Sequence, residues 1–180
     1  LVSVMKSFGF EISTPLMWTY ENDWRVVAYI LLLSLTLLLT GLFSVKNKSD
    51  IRRIYRHSGR LVADFIILDG LPVTLFNMGT LGIAATAYIL LTGGTINGAT
   101  LGGILTIIGF GAFGKHLRNI LPIMGGVYLG SLVKTWNVND PSVQLGALFG
   151  TSLAPISGQF GWQYGVLVGF LHSSMVLNTG

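Results

Sequence analysis

From Val26 to Val45 the chain reads VVAYILLLSLTLLLTGLFSV, a stretch without one charged side chain. As a helix it is long enough to cross about 30 Å of hydrocarbon. The rest of the sequence agrees with a bilayer as solvent. Hydrophobic residues make up 51%, charged residues only 10%, and the mean hydropathy is +0.68, whereas a soluble domain carries about 25% charged residues. Too little charge is present to wet a surface. The 180 residues suffice for about four to six crossings. The predicted class is all-α: a polytopic membrane helix bundle of about five spans plus a broken or re-entrant half-helix.

The spans after the first are read from apolar runs and the residues that interrupt them. Leu1 to Trp24 is an aromatic-rich interfacial lead-in, with Trp18, Tyr20 and Trp24 of the type that settles at headgroup level. Ile51 to Leu68 is predicted as an amphipathic interfacial helix, ending before Asp69, Gly70 and Pro72. Pro72 to Leu91 is the second span, with proline in the first turn, where a missing N–H costs little. Ala99 to Phe113 is short and glycine-rich, suited to close helix packing. Ile120 to Val133 follows, expected to be broken by Pro122 and Gly125-Gly126. Val143 to Gly158, with Gly150 and Pro155, is expected to dip and return, and Trp162 to Leu177 is the last span.

Charge gives orientation. In KNKSDIRRIYRHSGR the bases Lys46, Lys48, Arg52, Arg53, Arg56 and Arg60 face one acid, Asp50, which makes this loop cytoplasmic and suits it to anionic lipid. Counting from there, the basic turn GKHLRN (114–119) falls on the same side. Asp64 and Asp69 are expected to pair with the basic loop. The net charge of +4 is thus a lipid signal, and no nucleic-acid partner is expected. A dipping Val143–Gly158 leaves an odd number of crossings, so that a tandem copy would be inverted. The chain ends within an apolar stretch and is expected to be one half of a longer two-repeat protein: residues 1–60 the lead-in, first span and basic loop, residues 61–180 the bundle.

Chemistry-bearing residues are few. With Cys 0 there is no thiolate metal site or cysteine nucleophile. No HExxH, GxSxG, paired carboxylate or phosphate-binding loop occurs either, so neither metal, cofactor nor enzyme activity is expected. Non-helical backbone at membrane depth lines protein or a watery cavity. Thr151, Ser152, Pro155, Ser157 and Gln159 are therefore candidates for a solute path, with His172 and Asn178 on the last span. Ionisable groups near the bilayer are costly, which makes Lys115, His116, Arg118 and Asn119 candidates for gating or binding. Each has a structural counterpart reading: packing glycines and prolines, snorkelling bases, interhelical hydrogen bonds from His172, Asn77 and Asn178.

The segments GKHLRNILPIMGGVYLG, GALFGTSLAPISGQFGW and GFLHSSMVLNTG resemble one repeat of an uncharacterised bacterial integral membrane family, a domain of unknown function, over most of Asp64 to Gly180. The resemblance implies tandem units and no particular substrate. The order of spans is more loosely analogous to urea transporters, without their signature. The expected function is a channel or secondary-transporter unit for a small polar solute, in a bacterial inner membrane, paired with a second copy. The alternative is a non-transporting scaffold or sensor whose basic loop binds lipid or a cytoplasmic partner.

Overall fold

In a computed structural model, residues 24–60 and 63–178 are described, and all regular structure among them is helical. Almost all of the expected lead-in lies outside these residues. The elements are α1 (Trp24–Ser44), a 3-10 helix (Lys48–Arg56), α2 (Phe65–Asp69), α3 (Leu71–Leu91), α4 (Gly98–Phe110), α5 (Leu117–Val133), α6 (Pro141–Gly150), a 3-10 turn (Thr151–Leu153), α7 (Ala154–Phe160) and α8 (Trp162–Asn178). Two of them, α1 and α3, are long and apolar enough to cross a membrane. The main core gathers Ile30, Leu81, Ala85, Ile104, Ile107, Met124 and Leu148 from five helices.

Glycines set the helix directions, because each marks a point of close approach. Gly41 of α1 lies against Pro72 and Phe76, and Gly79 against Ser34 and Leu38, so α1 and α3 are antiparallel. Gly82 meets Ile108 and Gly111 meets Met78, so α4 returns along α3. In the second half Pro122 meets Gly165, Ile123 meets Gly169, and Gly130 meets Ser173. Both sequences rise together: α5 and α8 are parallel. Lys134, at the end of α5, reinforces this by donating to the Phe170 carbonyl at 2.9 Å and to the Ser173 and Ser174 hydroxyls.

Parallel packing corrects the expected dip of Val143–Gly158. Val143 packs with Val127, Gly150 approaches Ile123 and Gly158 approaches Ser58, so α6 and α7 descend the whole length of α5 in the opposite direction. The segment is broken, as its Gly150 and Pro155 suggest, but it passes from one end of the bundle to the other. Six segments thus run from one end of the bundle to the other among the described residues.

Two further expectations change. Pro122 lies inside α5, which is continuous from Leu117 to Val133; Gly126 serves contact with α8 instead of breaking the helix. Ile51–Leu68 is not one helix. The 3-10 helix buries Ile54 against Phe65 and Val73, then Gly59 adopts φ +77°, a conformation that side-chain-bearing residues avoid. A Cβ there would also strike the Gly114 carbonyl. The chain restarts at α2, where Asp64 accepts from the Ile66 and Ile67 amides at 2.9 and 3.3 Å. Asp64 is thus a helix cap, while Asp69 pairs with His57 of the basic loop at 2.7 Å.

Candidate functional site

The turn joining α4 to α5 is held from both sides by amides. Gly114 reverses the chain at φ +88°. From α3, the buried Asn77 donates through Nδ2 to the carbonyls of Gly111 and Lys115, both at 2.8 Å. From α5, Asn119 donates to the Gly114 carbonyl at 2.8 Å and accepts from the His116 amide at 2.9 Å. Asn119, expected as a gating or binding residue, fixes the turn. Removing Asn77 leaves two buried carbonyls without their donor, each worth about 1 to 3 kcal/mol. Asn77→Ala is expected to cost roughly 2 kcal/mol or more in denaturant titration of the detergent-solubilised protein followed by tryptophan fluorescence; a loss below about 0.5 kcal/mol would show that the turn holds itself.

What the turn presents is Lys115. The residue is only 8% exposed, and its Nζ donates to Thr151 Oγ1 at 2.7 Å and sits 4.9 Å from the Phe110 ring centroid. Thr151 in turn donates to the Leu148 carbonyl at 2.6 Å. Among the described residues no carboxylate forms an ion pair with this ammonium. Burial pushes it down to about 8 from its ordinary 10.5, because a charge withdrawn from water is disfavoured.

Lys115 lines a cavity of about 260 Å³ together with Thr106, Phe110, Phe149, Thr151, Ser152 and Pro155. The break between α6 and α7 makes room for it. Thr151 to Leu153 tighten into a 3-10 turn, and Pro155 enters the first turn of α7, where no amide is required. Of the sequence-predicted residues, Lys115, Thr151, Ser152 and Pro155 therefore meet in one place.

The others are distributed. His116, Arg118 and Ser157 line a neighbouring, more polar cavity of about 290 Å³ with Tyr55 and Trp162. There His116 Nε2 donates to the His57 carbonyl at 2.9 Å and its ring stands edge-on to Tyr55. Burial keeps this imidazole below its ordinary range. Its Nδ1 and the buried Ser157 hydroxyl have no hydrogen-bond partner. Arg118 donates to the Tyr55 carbonyl at 3.3 Å. Gln159 is exposed and lines an outer cleft with Ser58, Arg60 and Pro155. His172 packs against Gly150 and lines none of these cavities. Asn178 closes α8, its side chain outside the described residues.

The six bases Lys46, Lys48, Arg52, Arg53, Arg56 and Arg60 are all exposed and share the end of the bundle that carries the turn 114–119. Sequence reasoning missed how deeply this loop reaches inward. Gly59 packs directly on Gly114 and the Ser58 carbonyl on Gly158, so the tail of the basic loop walls the Lys115 cavity. The available signal was the presence of glycines at 59, 114 and 158, in segments otherwise unrelated.

A family model described as "Protein of unknown function (DUF1576)" matches residues 44–180. The match takes in the basic loop as well as the region from Asp64 onward. No curated protein and no solved structure matches the chain.

Proposed function

The chain belongs to this family of proteins of unknown function, and from that premise we propose that it is a multi-pass bundle of a cell membrane that binds a small polar solute, as one unit of a channel or secondary transporter. The observation that carries the reading is the cavity at the break between α6 and α7, where Thr106, Lys115, Thr151 and Ser152 supply polar groups among mainly apolar walls. Irregular backbone facing a cavity is how a membrane protein makes room for a solute.

The bilayer part of the reading rests on α1. Only 17% of its apolar window is buried, and Tyr29, Leu32 and Phe43 stand 60, 65 and 81% exposed. Leu91 at the end of α3 is 87% exposed. A continuous surface of this kind requires lipid or protein against it. With the basic loop cytoplasmic, all six passages cross, and the 134–140 loop lies on the far side. The exposed cations favour a second role beside the first, contact with anionic lipid headgroups or a cytoplasmic partner; a second copy packs beside the unit.

The protein has no cysteine, so single cysteines report topology without background. Ser49→Cys and Asn139→Cys, both exposed, are expected to react with an impermeant maleimide from opposite faces of sealed vesicles, Ser49→Cys from the cytoplasmic one. Labelling of both from one face would overturn the six-pass reading. Proteoliposome uptake of small solutes tests transport; absence of any flux by folded protein leaves the scaffold role.

A further inference from the structure

The solute reading leaves the chemistry of the ligand open, and the walls of the cavity narrow it. Lys115 is buried, carries three N–H donors and has one hydroxyl and one aromatic face as its neighbours. No acid among the described residues pairs with it. A buried ammonium without a counter-ion is costly, and an anion delivered by the ligand offsets that cost. One cationic group suits one negative charge. Around it, Phe110, Phe113, Phe149, Ala154 and Pro155 present mainly carbon. The volume of about 260 Å³ is below the range of about 300–1,000 Å³ typical of drug-sized ligands.

The approach is also charged. The cavity shares Gly59, Phe110, Phe113 and Pro155 with an adjoining one that holds Arg60 and also Asp64, whose Oδ1 is engaged by the Ile66 and Ile67 amides. Arg60 in turn reaches the outer cleft beside Gln159. An anion arriving at the basic end thus meets an exposed guanidinium before the buried amine, an arrangement that concentrates negative ligands at the entrance. We propose that the Lys115 cavity binds a small monocarboxylate with a short hydrocarbon tail, entering past Arg60. The proposal rests on the solute reading and names the ligand class of the same site.

Isothermal titration of the intact protein in detergent micelles with butyrate, its uncharged isostere butyramide, and chloride tests it. Butyrate is expected to bind at least tenfold more tightly than butyramide or chloride. Lys115→Met is expected to weaken butyrate at least tenfold. Ser152→Trp, at an exposed rim position, blocks the cavity while leaving the amine in place. Arg60→Gln is expected to reduce affinity about two- to threefold and to flatten its dependence on salt. Equal binding of butyramide, undiminished binding by Lys115→Met, displacement of butyrate by equimolar chloride, or no butyrate binding by folded wild type would each overturn the proposal. Butyrate binding without flux sinks transport but keeps the site; flux of neutral solutes without butyrate binding does the reverse.

Discussion

Gly169→Leu is expected to abolish the native fold, or to leave it destabilised by more than about 3 kcal/mol, the upper end of overpacking penalties. At Gly169 the first atom of any side chain would run into the Ile123 carbonyl, and at Gly126 into the Val166 carbonyl. Both obstacles are backbone, so neither can rotate away. The two helices must separate, and separation pulls Lys134 from the Phe170 carbonyl and Ser173. Gly102→Ala is the control: nothing lies within 4 Å of a Cβ at that position, and the exchange is expected to be neutral or to stabilise by up to about 1 kcal/mol through helix propensity. Thermal melting of the purified variants in one detergent distinguishes the outcomes. A Gly169→Leu protein that melts with the wild type would refute the parallel α5–α8 contact, and the six-passage arrangement with it.

The second large effect is expected at Lys115, where stability and ligand binding oppose each other. Lys115→Met keeps the aliphatic length, removes the buried charge and leaves Thr151 still bonded to the Leu148 carbonyl. A buried charge without a partner burdens the fold, so the variant is expected to gain roughly 1 to 3 kcal/mol at pH 7 while losing the carboxylate site. The pH dependence follows from the lowered value. Between pH 8 and 10.5 the amine is largely deprotonated when folded and protonated when unfolded, so stability rises with pH across that interval. Below about 8 both states hold the proton and the full cost of burial remains. Lys115→Met removes this rise. The difference between wild-type and variant denaturation midpoints at pH 7, 8.5 and 10 checks it: a gap that shrinks as pH increases is expected, and a constant gap would exclude titration of Lys115 as its cause.

Much of the fold was legible because apolar runs and turn residues are local signals. Val26–Val45 and Pro72–Leu91 correspond to α1 and α3 within two residues at each end, and Asn97, between the second and third apolar runs, caps α4 through the Ala99 and Thr100 amides. The break near Pro155 was legible for the same reason. What failed was anything that depended on a neighbour. Pro122 breaks no helix because α5 is supported along its length by α8, and the predicted interfacial helix stops at Arg56, before Gly59 turns at φ +77° against Gly114. Asn119 is as polar on the page as Lys115, yet it ties the turn together.

The sequence by itself determined that the chain is helical, where most helices begin and end, and that its cations collect in two segments. Each of these depends on side chains close in sequence, through charge, hydropathy and the missing amide of proline. Only the tertiary structure decided that α8 runs with α5, that α6 and α7 make a complete passage, and that Lys115 meets Thr151, a residue 36 positions away. Those facts depend on which backbone can approach which. Glycines permit such approaches, but permission names no partner: the pairs Gly59 with Gly114, Gly158 with Ser58 and Gly169 with Ile123 emerge only when all six passages pack at once.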